Sequence, residues 1–481
     1  MLKFKEITRA NHFWSALLPL LALSGCVVGP SYKGPPATQL HDMRQTPAAP
    51  ARTETVPLDT WWMGFNDPVL TRVVDRAVNQ NLDLAAAVAR VDQARAAARG
   101  AGARLLPEGD LQTSVSQLHQ SLTGPIGAIA HDLPGYYRNQ SSYDVGVGAG
   151  WEIDLFGGLK RGAEAARDEA QAAQYEQMAV RVSIVAEAAD AYFQVRGDQA
   201  RLVIAQSQVD NDTRLLELIR LRLAKGASSD KEVAQAEALL AQARATIPPL
   251  TTALEAQLNR LDVLMGAQPG TYAAELARPA DIPTIPPIPA DQSASELLRR
   301  RPDIVAAERR LAASNARVGV AVAEYYPKVS LAGLLGFDSL SAGRLFSAAS
   351  FEPQATAGLR WRLFDFGRVD AEVAQANSAH AQALLAYRQS VLRATEDVEN
   401  AFTSLAQLQI EIHELSSEVN ALRRARDKSQ ELYLAGASSL TDVLDAEREL
   451  LESQDALARS RADSDRSAVA SFRALGGGWK M

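Results

Sequence analysis

From Tyr143 to Leu155, apolar and polar positions alternate one by one. Tyr143, Val145, Val147, Ala149, Trp151, Ile153 and Leu155 point one way; Asp144, Gly146, Gly148, Gly150, Glu152 and Asp154 point the other. A period of two predicts a strand with one apolar and one polar face. The pattern returns at Ala355, Ala357, Leu359, Trp361 and Leu363, set against Thr356, Gly358, Arg360 and Arg362. With a partner before each, four strands are expected, at about 104–119, 140–156, 326–338 and 352–366. An apolar face backed by a polar, glycine-rich one is the dyad of an outer-membrane barrel strand around a wet interior. A soluble sheet with one buried face would show the same alternation.

The period then changes. Between Gly157 and Ala224, and again between Gly367 and Ala435, there is no proline. In the second stretch Leu384, Val391, Val398, Leu405, Ile412 and Val419 recur every seven residues. Tyr387, Ala394, Ala401, Leu408, Leu415 and Leu422 follow three behind. This is an a/d seam on a helix of about 100 Å. The first stretch has Ala188, Val195, Leu202, Val209, Leu216 and Leu223, but Asp198 and Asp212 break its companion row. A narrow seam on so long a helix requires partner helices. Each helix ends at a Gly-Ala-Ser-Ser turn, at Gly226 and Gly436, and a shorter helix returns.

These paired features mark an internal duplication. Trp151 and Trp361, Phe156 and Phe366, Gly226 and Gly436, and Gly266 and Gly476 all lie 210 residues apart; upstream, Asp83 and Asp303 lie 220 apart. The ten extra residues in the first copy fall between its strands, where a loop tolerates them. The expected organisation is a signal peptide (1–25), an N-terminal tether (26–66) and a first repeat (67–266). A proline-rich linker (267–296), a second repeat (297–476) and a short tail (477–481) follow.

Composition narrows the class. The 481 residues are 47% hydrophobic but only 6% aromatic, with a net charge of −7. That balance suits close helix packing and argues against non-specific nucleic-acid binding. Lys3, Lys5 and Arg9 precede a short apolar core, Ser15 to Leu23, and then Leu23-Ser24-Gly25-Cys26. Small residues before a cysteine resemble a bacterial lipobox, with Cys26 as the lipidated mature N-terminus. Cys26 is the only cysteine, so no intrachain disulfide can form. No later apolar run reaches the ~20 residues of a membrane-spanning helix. If the chain spans a membrane, strands must do it. Four strands cannot close a barrel, so several chains must share one: two would give eight strands, three would give twelve.

Four stretches carry a family resemblance. They are Cys26-Val27-Val28-Gly29-Pro30-Ser31-Tyr32, with Ser31 where Asp is more usual; Trp61-Trp62 with Phe65, Asp67-Pro68 and Leu70; Arg301-Pro302-Asp303-Ile304; and Tyr433 through Arg448. Through them the chain resembles the TolC-like outer-membrane factors, most closely the lipoprotein branch typified by OprM and NodT. The resemblance implies an α+β membrane protein working as a homotrimer. Its twelve-stranded outer-membrane β-barrel, four strands per chain, continues into a periplasmic α-helical coiled-coil barrel. It also implies a periplasmic adaptor and an inner-membrane transporter, of RND type, as partners. Cys26 would carry N-palmitoyl and S-diacylglycerol groups, with no other cofactor. The function implied is the exit duct of a tripartite efflux system for drugs or other toxic compounds. Type I protein secretion and metal export use the same kind of duct.

By the same resemblance, residues matching Tyr433, Asp442 and Asp445 form the periplasmic gate. Asp442 and Asp445, three apart, share a helix face. They could equally solvate that face and favour its first turn. Some relatives have arginine where this chain has Ser438, so a gate bond through that arginine is missing. The first tip has Lys231, Glu232 and Glu237 instead, which predicts two unlike tips. Small residues at both, Gly226, Ala227 and Ser228 and then Gly436, Ala437 and Ser438, would let an adaptor hairpin pack closely. They are also ordinary turn chemistry. An enzyme is disfavoured: the six histidines are scattered, with no HExxH or paired-Cys spacing. No catalytic or metal residue is expected. A structural coiled-coil lipoprotein would explain the helices but not the strands.

Overall fold

The computed structural model describes residues 27–35, 56–288 and 300–480. The signal region 1–25, Cys26 and much of the tether fall outside the described residues, as do 289–299 of the linker. A 3₁₀ segment (Leu58–Phe65) precedes α1 (Pro68–Gln80) and α2 (Leu82–Ala103). Then come β1 (Glu108–His119), the short α3 (Pro125–Ala130) and β2 (Asn139–Ile153). The long α4 (Gly158–Ala224) turns into α5 (Asp230–Leu264), and α6 (Ala273–Leu276) lies in the linker. The second copy contains α7 (Pro302–Ala323), β3 (Lys328–Ser339), β4 (Phe351–Arg360), α8 (Arg368–Leu434) and α9 (Leu440–Ala474). α2 and β1 lie 220 residues before α7 and β3. α4 and α5 lie 210 before α8 and α9.

The chain divides into two compact units. The first gathers 27–35, Asp92–Gln171 and Glu308–Leu385. Its centre is one antiparallel sheet in the order β1-β2-β3-β4. Opposed residues run from Glu108↔Gly150 to His119↔Asn139 in the first pair and from Lys328↔Arg360 to Phe337↔Phe351 in the last. The two copies therefore use one register. Tyr143, Val145 and Val147 share a face with Leu335 and Phe337, and the glycines 146 and 148 lie on the other. Each copy closes with the same staple. The Trp151 indole donates to the Leu105 carbonyl at 3.0 Å, and Trp361 to Tyr325 at 3.0 Å.

β2 ends at Ile153 rather than near 156 and β3 begins at Lys328 rather than near 326; two other strand boundaries differ more. β1 begins at Glu108 rather than near 104, because α2 runs to Ala103 and a turn continues to Leu106. β4 ends at Arg360 rather than near 366. Beyond it Leu363 N–H donates back to Trp361, and the Asp365 carboxylate accepts from Gly367 and Val369 N–H, starting α8. The N-terminal segment lies against this unit. Val28 N–H donates to the Phe156 carbonyl at 3.1 Å. The Arg161 guanidinium, itself buried, reaches the carbonyls of Val28 and Gly29. Gly29 packs on Gly319 so closely that a Cβ would meet its Cα at 2.5 Å.

The second unit holds residues 56–91, Ala172–Ala307 and Ala386–Met481. Its main core joins Trp61, Trp62, Phe65 and Leu70 to Tyr192, Phe193, Leu261, Phe402 and Phe472. Trp61 stacks on Phe472 with centroids 5.0 Å apart. Asp67 caps α1 by accepting from Val69 and Leu70 N–H. The expected seam of α8 is buried at Val391, Val398, Leu405 and Val419. In α4, Asp198 and Asp212, which break the companion row of the seam, are themselves buried. Gly197 lets α4 approach α9, since a Cβ there would lie 2.5 Å from Ala462 Cβ. The linker is tied to α4. Arg196 donates to the Arg278 carbonyl at 2.7 Å, and Gln199 to that of Leu276 at 2.7 Å.

Candidate functional site at the hairpin tips

The two tips are built alike. Gly226 and Gly436 take left-handed φ of 76° and 77°, which glycine adopts without a Cβ penalty. Ala227 N–H returns to the Arg222 carbonyl, and Ala437 N–H to that of Leu432. These bonds satisfy the last carbonyls of α4 and α8. Ser229 and Ser439 then open α5 and α9 as capping boxes, with Glu232 and Asp442 as their acidic partners. The Asp442 carboxylate accepts from Ser438 Oγ at 2.7 Å and Ser439 N–H at 3.0 Å. Glu232 does the same for Ser228 and Ser229. These hydrogen bonds hold both carboxyls below the usual carboxylate range. The expectation of two unlike tips is thus corrected at the cap, where Glu232 does the work of Asp442. The copies differ one turn on, where Gln235 stands opposite Asp445.

Of the expected gate residues, Tyr433 lies inside. It is buried with Leu215, Leu216, Ile219, Leu240, Leu440 and Val443, a small core shared by both hairpins. The Arg222 guanidinium sits 4.7 Å from its ring centroid. Burial raises the Tyr433 hydroxyl above its ordinary pKa. Asp442 is exposed and committed to its cap. Asp445 is half-exposed and accepts from Arg448 at 3.0 Å. Gly226, Ala227, Gly436 and Ala437 are exposed, with Ser228 and Ser438 half-buried beside them.

Sequence reasoning missed a set of buried acids deeper in the hairpins. Gln208 donates to Asp212 at 2.8 Å and reaches Glu447 at 3.5 Å. Glu447 also accepts from Arg426 at 3.0 Å, so one network ties α4, α9 and α8. Burial, then the nearby Glu447, pushes Asp212 up to about 7. Asp465 is 2% exposed with Oδ2 unpartnered among the described residues. Burial alone pushes it up to about 8. It borders a cavity of about 1270 Å³ between α4, α8, α9 and linker residues 279–285. The available signal was an acid at a seam position, as at Asp198 and Asp212. Asp465 has no such signal, because its seam is masked by serines.

Comparison with known proteins decides the class. The family model described as outer membrane efflux protein matches residues 73–267 and 294–477. The chain belongs to the outer membrane efflux protein family. It is 34% identical over 438 residues to the pyoverdine export outer membrane protein OpmQ of Pseudomonas putida, covering 91% of each chain. Nodulation protein T of Rhizobium leguminosarum bv. trifolii is 32% identical over 449 residues, covering 92% of each. The solved outer-membrane channel OprN superposes with a TM-score of 0.85 at 34% identity, covering 94% of this chain and all of that one. The fold is that of the trimeric outer-membrane efflux channels, an α+β protein giving four strands per chain to a twelve-stranded barrel. Its place is the outer membrane, with helices in the periplasm. It serves as an exit duct for efflux, with adaptor and pump partners. No described helix is long and apolar enough to cross a membrane.

Proposed function

We propose that three copies of this chain pass small toxic organic molecules, drugs first among them, from an RND-type inner-membrane pump and its adaptor to the exterior. The chain is a conduit and not an enzyme. The observation that carries this reading is the sheet with two open edges joined to paired long hairpins. An open edge cannot face lipid, so the strands must close with other copies. Tyr433, Asp442 and Asp445 form the resting gate, and Gly226–Ser228 with Gly436–Ser438 receive the adaptor. Cys26 carries the N-palmitoyl and S-diacylglycerol lipid. The seating of Val28 on Phe156 supports this, since it starts the chain beside the strand-to-helix junction. A second reading, export of a siderophore, is favoured by the likeness to OpmQ, which is named for pyoverdine export.

The test combines planar-bilayer recording with complementation of a strain lacking its exit duct. Single channels of small conductance, with restored drug resistance beside an RND pump and adaptor, are expected. Inserted, folded trimers that carry no current would refute the duct. Conducting trimers that restore siderophore release but no drug resistance would replace the first reading by the second.

A further inference from the structure

Asp465 has no part in the exit-duct reading. It lies 2% exposed on α9, its Oδ2 has no partner among the described residues, and it lines the cavity of about 1270 Å³ beneath the linker. A buried carboxyl oxygen without a partner is rare and costly. The charges around the cavity do not answer it. Arg461 on α9, Arg423 on α8 and Asp281 on the linker are the other ionisable groups of the lining, and α4 offers none. All three are exposed, where salt screens them. Burial is the one cause that raises the Asp465 carboxyl, so neither guanidinium offsets its charge.

The rest of the lining suits an apolar body. Ile204 of α4, Ile412 and Val419 of α8, Leu457 of α9, and Ile282 and Ile285 of the linker supply that surface. Two hydroxyls of the lining have already spent their hydrogens. Ser207 Oγ donates to the Val203 carbonyl at 2.8 Å, and Ser416 Oγ to that of Ile412 at 2.6 Å. A hydroxyl has one hydrogen and two lone pairs, so both are left as acceptors. A deep carboxyl without a cation, acceptor hydroxyls and apolar walls complement an ammonium group on an apolar stem. The space admits a drug-sized molecule. Such an occupant would bridge α9 and the linker, which Arg196 and Gln199 fasten to α4.

We propose that this cavity is a binding site for an amphiphilic organic monocation, an amine on an apolar body, whose ammonium group pairs with the Asp465 carboxylate. In the empty site the acid, raised to about 8, keeps its proton at neutral pH. The ammonium takes the place of that proton, which leaves to solvent, and the buried carboxylate gains the cation it lacks. The site lies wholly within the helical unit of one chain, so it stands independently of the duct reading.

Equilibrium dialysis of phenylbutylamine against the full-length protein in phosphatidylcholine nanodiscs, with empty discs as the blank, tests the site. Phenylbutanol and phenylbutyrate carry a like body with a neutral and an anionic head. The amine is expected to bind saturably and about tenfold tighter than either. Proton and ammonium compete for one carboxylate, so amine affinity should rise about fiftyfold between pH 6 and pH 8. Asp465→Asn should lose that pH dependence and about tenfold in amine affinity at pH 8, with phenylbutanol binding unchanged. Val203→Trp fills the cavity from a lining position that is 47% exposed. It should weaken amine and alcohol alike while helical circular dichroism stays that of wild type. Tighter binding of phenylbutyrate would assign the cavity to Arg423 and Arg461 and overturn the proposal. Amine binding unchanged in Asp465→Asn, or no saturable amine binding by folded protein, would overturn it as well.

Discussion

Asp465→Asn should make the helical unit more stable in alkaline solution. Asp465 is buried on α9 and its Oδ2 has no partner among the described residues. Its carboxyl is raised from 3.8 to about 8 by burial. In the unfolded chain the group ionises near pH 4. Below that pH both states are protonated and the native state bears no cost. Between pH 4 and 8 the unfolded chain releases the proton and the folded one keeps it. Stability therefore falls by ~1.36 kcal/mol per pH unit, reaching on the order of 5 kcal/mol above pH 8. Asparagine removes the titration, but its buried amide brings donors whose loss of water costs ~1–3 kcal/mol. The net effect is a gain of about 2–4 kcal/mol at pH 9 and a loss of ~1–3 kcal/mol at pH 4. Guanidinium unfolding of the detergent-held protein, followed by helical circular dichroism at both pH values, measures it. A wild-type midpoint independent of pH between 5 and 9, or a variant no more stable than wild type at pH 9, would refute the reasoning.

Arg426→Ala should destabilise the same unit by about 3 kcal/mol, because it leaves the buried Glu447 carboxylate without its cation; Arg426→Leu with Glu447→Leu should recover most of that loss in the same unfolding assay. Asp442→Ser with Asp445→Ser should raise single-channel conductance, while Glu232→Gln, at the matching cap of the other tip, should not; equal rises would show that loosening a cap, not removing gate charge, opens the pore. Gly436→Ala forces a Cβ into a left-handed turn and should cost ~1–2 kcal/mol, read as a lower melting temperature with the conductance of closed channels unchanged.

The duplication, the strands and the long helices were legible because each is written as a period: two for the sheet, seven for the seam, 210 for the repeat. Boundaries were less so. The alternation at Trp361 and Leu363 continues past the last paired residue of β4, since pattern records the face a residue takes and not whether a partner strand lies beside it. Tyr433 could be chosen from the motif Tyr433 to Arg448, but its burial under both tips depends on Leu215, Ile219 and Leu240, which come from the other hairpin. The buried acids were the least legible. Asp198 and Asp212 look like flaws in an apolar row. Only the approach of α9, permitted by Gly197 and by the serines at 453, 460, 464, 467 and 471, shows that they are inside.

The two copies share one backbone plan but spend their polar residues differently. Glu447 is buried, while its counterpart Glu237 is exposed and pairs with Arg220. Asp465 is buried, while its counterpart Glu255 is exposed. Asp198 and Asp212 on α4 match Leu408 and Leu422 on α8. The returning helix of the second copy is therefore the one held by carboxylates, amides and serines in a low-dielectric setting. Such contacts are costly when broken singly and can be remade with other partners. α9 carries Asp442 and Asp445 at one end and Glu447 and Asp465 along its buried face, so the tip carboxylates and the buried acids lie on one helix.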